Sequence, residues 1–427
     1  MDSPASHSPG TAMPAPPPGG AGAAPRRPRA GIHIAALDGI RGLAILGVLL
    51  THYSEPLSAA VKQAWGEGWI VGHIFDAGWT GVDLFFVLSG FLITGILFDA
   101  KGKANYFRNF YARRTLRVFP LYYAVLLVAL VILPMFHPGA ITPTESAKQP
   151  WLWFYGTSLY PLFHHGDVQN EFRLYNAFSL HFGHFWSLAV EEHFYLVWPL
   201  LVFLCNRQWL MRLCVALACV SLASRCAFIA HGWRHDEIYE VTFHRMDGLV
   251  AGAWMALAAR GPLGITPVVR WAWWGLAASG GALLLVIGVD EGLGRGDVIV
   301  QTLGFSSLAV FFASALLVAV AFPEQWIVRR LLSGRVLTAF GKYSYGLYVY
   351  HGLLLAVFHN KLMPIAAKLA PAGVKNFGTA INYMILASAA SFAIAFASYH
   401  LFEKHLLKLK RFFESRPKAV GSQATAV

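Results

Sequence analysis

The sequence predicts an all-α, polytopic membrane protein of about ten transmembrane helices with both termini cytoplasmic. Of its 427 residues 56% are apolar and only 13% charged, about half the charge content of an ordinary soluble domain. Such a chain cannot cover a soluble surface. The apolar residues come in blocks of about 20, the length at which a helix crosses a hydrocarbon core. Lys and Arg cluster between the blocks, as membrane topology requires. The formal charge of +12 therefore points to a lipid bilayer, and nucleic acid is not an expected partner.

Residues 1–32 hold eight of the 22 prolines among Ala, Gly and Ser, with the cluster Arg26, Arg27 and Arg29. This composition predicts a disordered cytoplasmic tail, and no apolar h-region marks it as a secretory signal. Ten spans follow within a membrane domain at 33–404, near 34–53, 80–98, 118–136, 185–205, 211–231, 245–259, 270–289, 299–322, 338–359 and 379–402. The aromatic stretch Trp151–Phe163 is too short to span and reads as interfacial or re-entrant. Residues 405–427 form a basic cytoplasmic tail. With the amino terminus inside, 22 of the 34 Lys and Arg residues fall inside, eight outside and four within spans. The outer loop 360–378, with Lys361, Lys368 and Lys375, is the dissenter. Cys205, Cys214, Cys219 and Cys226 lie in or beside apolar blocks without a C-x-x-C pair, so neither a disulfide framework nor a zinc site is expected.

Charges inside spans cost roughly 2.5–3.5 kcal/mol each on insertion scales, which makes each one a functional candidate. They sort into two layers. Asp38, Arg41, Arg114, Arg117, Lys342 and Glu403 fall near the cytoplasmic face; His52, Asp83, Glu191, Glu192, Arg225, Arg245, Asp247 and His351 fall in the outer half. In LDGIRGLAILGVLLTHY, Arg41 and His52 stand about 16 Å apart along a helix and about three full turns round it, hence on one face. A snorkelling Arg and a capping His would account for the same pair.

Arg114 and Arg117 share a face three residues apart, an arrangement that clamps phosphates bidentately, although plain positive-inside charge is the competing reading. Ser89 lacks the Gly-x-Ser-x-Gly elbow of a nucleophile and reads as a packing residue. Glu191 and Glu192 point about 100° apart, so one of them faces a given cavity; Glu191 is expected inward, with Glu192 lining the bundle or pairing with Arg225. Arg245 and Asp247 read as a mutual or interhelical ion pair. Tyr345, Tyr348 and His351 form a stripe that packing alone would explain. His164, His165, His181 and His184 lack an H-E-x-x-H pattern, and no metal site is expected.

Five segments, LDGIRG with His52 downstream, GVDLFFVLSGFLIT, RRTLRVFPLYY, FWSLAVEEHFYLVWPL and GKYSYGLYVYH, together resemble the acyltransferase-3 family of membrane O-acyltransferases. They occur in the family's order over about residues 34–404. The resemblance implies transfer of an acyl group, usually acetyl, from cytoplasmic acyl-CoA to a hydroxyl of an envelope saccharide or glycoside, in the inner cell membrane. Acyl-CoA is then a co-substrate, and no permanently bound cofactor is expected. The family's Arg-x10-His pattern falls on Arg41 and His52, its Arg-x-x-Arg on Arg114 and Arg117, and its Trp-Ser-Leu-x-x-Glu on Trp186, Ser187, Leu188 and Glu191. His52, Asp83 and Glu191 are thus the expected catalytic residues, with His52 as base and Asp83 orienting its ring. Arg41, Arg114 and Arg117 are expected to hold the donor; Trp186, Tyr345 and His351 are expected to touch substrate. Some members carry an additional esterase-like domain, which the sequence is expected to lack, since it runs only about 25 residues past its last span. The alternative is a proton-coupled transporter, because intramembrane His, Asp and Glu also build proton relays. No internal repeat supports it: span 1 has no second LDGIRG-like copy.

Overall fold

The computed structural model describes residues 35–66, 70–174 and 178–413. The proline-rich segment 1–32 and residues 414–427 lie outside them. Each of the ten apolar stretches is helical. The main helices are α1 (Ala35–Tyr53), α2 (Thr80–Ala100), α3 (Tyr106–Leu127), α4 (Trp186–Leu204), α5 (Arg207–Ala230), α6 (Met246–Ala258), α7 (Thr266–Asp290), α8 (Phe305–Ala321), α9 (Arg335–Leu353), α10 (Leu355–Leu369) and α11 (Lys375–Ser398). Among the described residues seven helical runs are long and apolar enough to cross a membrane. α1, α6 and α9 are not among them. α6 has 13 residues, about 20 Å at 1.5 Å each, against a hydrocarbon core of about 30 Å. It needs no lipid-facing length, because Leu249, Ala253, Ala256 and Leu257 are wholly buried among its neighbours.

Close packing of α6 on α2 depends on two glycines. A Cβ at Gly90 would overlap the Leu249 carbonyl, and one at Gly252 would overlap the Val87 carbonyl. Small residues let the two backbones meet directly, as membrane bundles require where lipid competes for every apolar surface. α1 lies along α9 and against α2, so the helix bearing Arg41 and His52 is held by the helices bearing His351 and Asp83.

Two elements depart from expectation. α3 begins at Tyr106, a dozen residues before the apolar stretch, because the arginine-rich YFRNFYARRTLR segment is itself helical. The expected outer loop 360–378 is helical as far as Leu369 and carries Pro364 within it. Phe358 and Ala366 are buried while Lys361 and Lys368 are exposed, so α10 is amphipathic and packs on α11. Its lysines mark a polar helix face, which a count of loop charges cannot recognise.

The stretch Trp151–Phe163 is too broken to span: a helix Pro143–Trp153, capped by Thr142 and Glu145, gives way to short turns at Thr157–Leu159 and Pro161–His164. Tyr122 of α3 ties it down by donating to the Leu152 carbonyl at 2.7 Å. A short antiparallel pairing of Arg173 with His181 follows. The Arg173 Nε donates to His181 Nε2 at 2.7 Å. Burial first, and then that guanidinium, push His181 down to about 3, which keeps its nitrogen available to accept.

Candidate active site

A cavity of about 860 Å³ enters the bundle at the end where α2 finishes and α3 begins. Its lining on α2 runs from Asp99 and Ala100 at the rim to Val82 within, about 27 Å along the helix axis. Cations line the cavity on several sides: Arg41, Lys103, Arg113, Arg117, Arg260 and Lys410. Arg260 is held by Asp99 in a two-point pair at 2.7 and 2.8 Å, and Arg41 by Asp38 at 2.9 Å. Among the described residues, no carboxylate lies within ion-pair distance of Lys103, Arg113, Arg117 or Lys410. The cavity therefore holds an excess of cations suited to phosphate.

The middle of the cavity revises the two-layer sorting of charges. Arg114 is the ninth residue of α3, about 12 Å in from its start, and it reaches Glu191 at 3.1 Å and Glu192 at 3.3 Å on α4. Its guanidinium also lies 3.7 Å from the Tyr195 ring centroid. Ser89 and Tyr195 donate to the two oxygens of Glu191 at 2.7 and 2.9 Å. Residues expected at opposite depths thus form one cluster, because α3 carries its arginines inward. Arg114 and Arg117 both line the cavity, yet only Arg117 is without a carboxylate among the described residues, so they are not the matched clamp that their spacing predicts. Glu192 pairs with Arg114 and not with Arg225. Glu191 lines the cavity, as expected of the inward carboxylate. Tyr345 lines it too, its hydroxyl donating to the Val118 carbonyl at 2.6 Å.

At the buried end the walls are Val82, Phe85, Phe86, Ser187 and Tyr348. Ser187 and Tyr348 share a hydrogen bond, and both reach the His184 carbonyl, at 3.3 and 3.0 Å. Trp186 is not in this lining: its indole is 2% exposed and packs between Phe86 and Tyr239, behind the wall.

Beyond that wall stand three histidines. The His351 ring lies 5.3 Å from Tyr348, 5.2 Å from His184 and 5.0 Å from His52, between centroids. A carbonyl only accepts, so a ring nitrogen facing one carries the proton. His52 Nδ1 donates to Val48 at 2.9 Å, His351 Nδ1 to Tyr348 at 2.7 Å and His184 Nε2 to Val349 at 3.2 Å. The opposite nitrogen of each neutral ring is a bare lone pair. For His351 Nε2 and His184 Nδ1 that nitrogen is buried and has no partner among the described residues.

Asp83 does not orient His52. It is bound to Arg245 at 2.6 Å, with Arg245 over the Phe305 ring at 4.0 Å. Arg225 in turn pairs with Asp247 at 2.9 Å. Arg245 and Asp247 are thus each in an interhelical ion pair, as their position suggests, but with Asp83 and Arg225 and not with each other. The sequence reading assigns no site role to His184, Tyr348, Arg113 or Lys410. The sequence shows His184 as one of four loop histidines without a metal pattern, and Tyr348 as the middle of an aromatic stripe.

Residues 34–400 match the family described as the acyltransferase domain. The chain belongs to the acyltransferase-3 family. Among curated relatives, the peptidoglycan O-acetyltransferase OatA of Listeria monocytogenes is 30% identical over 56% of this chain and 36% of its own length. The O-acetyltransferase OatA of Staphylococcus aureus is 28% identical over 75% of this chain and 50% of its own. The putative peptidoglycan O-acetyltransferase YrhL of Bacillus subtilis is 28% identical over 87% and 54%. This acyltransferase-3 chain spans about half the length of two of them and less of the first. No solved structure matches it significantly.

Proposed function

We propose that this acyltransferase-3 protein moves an acetyl group from acyl-CoA, bound at the arginine rim, to a hydroxyl of an envelope glycan that arrives at the histidine end. The observation that carries this reading is one cavity joining an excess of cations to a wall of hydroxyls with bare imidazole nitrogens behind it. A CoA thioester has the matching shape: an anionic nucleotide, a long uncharged arm, and the reactive carbonyl at the tip. The preference for lysine and arginine on the rim's side supports a cytoplasmic rim, hence a multi-pass protein of the cytoplasmic membrane. The relatives' names support acetyl as the group and a peptidoglycan-like saccharide as the acceptor.

In the reaction His52 Nε2 takes the proton of the acceptor hydroxyl as its oxygen attacks the thioester carbonyl. The C–S bond of the tetrahedral intermediate then breaks, and the departing thiolate takes the proton back from the imidazolium. The base returns neutral, and no other reactant is needed. Tyr348 and His351 stand between the cavity and His52, so thioester and hydroxyl meet when this wall opens. A closed wall excludes water from the thioester while no acceptor is bound. Glu191 and Arg114 line the path of the arm, and Phe85 and Phe86 at its tip favour a short acyl group.

The test is transfer by purified protein in liposomes given acetyl-labelled acetyl-CoA and soluble glycan fragments, read by mass spectrometry. Acetylated glycan and an equal yield of free CoA are expected. Neither acetylated product nor free CoA, with the protein shown to be folded, would contradict the reading.

A further inference from the structure

The chain after the last long helix is unusually placed for a topogenic tail. α11 alone, at 24 residues, is about 36 Å long and already crosses a hydrocarbon core of about 30 Å. Helical structure continues through a π-helical turn at Tyr399–Glu403, a turn at Lys404–Leu407 and a 3-10 segment at Lys408–Phe413. The segment packs against α3. There the Arg108 guanidinium sits 5.4 Å from the Phe413 ring centroid. Its cations are not equivalent. Lys408 and Arg411 are exposed, whereas Lys410 is half-buried and lines the cavity with Arg41, Arg113 and Arg117. Charge that serves only topology needs no such register.

We infer that Lys410 is a ligand of the donor's phosphates, and that the segment Lys404–Phe413 is the strap that completes the mouth of the donor site. The inference rests on the acyl-CoA reading above. The segment that sequence reading assigns to a plain basic tail then supplies a wall of the site, anchored to α3 where Phe413 meets Arg108. An ammonium there meets a pyrophosphate or a ribose phosphate as a point charge, beside the forked guanidinium of Arg117.

The experiment is equilibrium binding of CoA, and of CoA lacking its ribose phosphate, to the purified full chain in detergent. Lys410→Ala is expected to weaken CoA binding about tenfold, while Lys408→Ala, which removes the same charge two residues away, changes it less than twofold. Lys410→Arg should restore most of the affinity, and Phe413→Ala should weaken binding by loosening the strap. If the loss in Lys410→Ala disappears with the truncated nucleotide, Lys410 holds the ribose phosphate; if it persists, Lys410 holds the pyrophosphate. A parent that binds CoA, with Lys410→Ala matching it or matching Lys408→Ala, overturns the strap alone. A folded parent that binds no CoA overturns the strap and the donor reading together.

Discussion

Arg114 and Arg117 are three residues apart and have opposite roles. Removing Arg114 leaves Glu191 and Glu192 side by side and half-buried without a counter-charge, and breaking a buried pair from one side costs about 3–5 kcal/mol. Arg114→Ala is therefore expected to lower the melting temperature in detergent sharply, whereas Arg117→Ala, which breaks no ion pair among the described residues, melts with the parent. Equal melting of both variants would contradict the assignment. Tyr348 offers a second contrast. Tyr348→Ala opens the wall between the cavity and His351, so hydrolysis of acetyl-CoA without acceptor should rise severalfold; an unchanged rate would mean that this wall does not keep water out. Of the expected site residues, Arg41, Glu191, Tyr345 and the arginine pair line the cavity, whereas Asp83 and Trp186 do not and His52 and His351 stand behind its wall. Their partners were not legible in the sequence. Whether a carboxylate meets Arg114 or Arg225 depends on which helices are neighbours, and one sequence does not contain that information.

For the elements, all ten apolar blocks fall in helical stretches and seven helical runs among the described residues have crossing length, because a hydrocarbon core favours one helix length; the block 338–359 is divided between two helices at Leu354. Where a helix has another reason to form, the rule failed. α3 extends a dozen residues into a basic segment, and α10 is amphipathic, so neither boundary shows in an apolar run. α6 is short and mostly buried among its neighbours. Its contact with α2 is the tightest test of the packing: Gly90→Leu should force α6 and Arg245 just before it away from Asp83 on α2, and cost about 2 kcal/mol or more of stability by overpacking and by separating that buried pair. A melting temperature within a degree or two of the parent would contradict the backbone contact at Leu249.

Across the whole molecule, acyl-CoA and acceptor are proposed to enter from opposite ends of the bundle. A cysteine replacing Lys103, at the exposed rim, should react only with reagents supplied from the cytoplasmic side, and the reverse pattern would invert the assignment of ends. The separation of ends also predicts a separation of kinetic effects. The decisive measurement is donor dissociation constant and turnover number, determined together, for Arg117→Ala and His52→Ala. Arg117→Ala is expected to weaken donor binding about tenfold or more with turnover at saturating donor within a few-fold of the parent. His52→Ala is expected to bind donor as the parent does and to lose 10²- to 10⁴-fold in turnover, roughly the contribution of a general base. If His52→Ala kept more than about a tenth of the parent's turnover, or lost donor affinity as Arg117→Ala does, the histidine end would not be where the proton is taken.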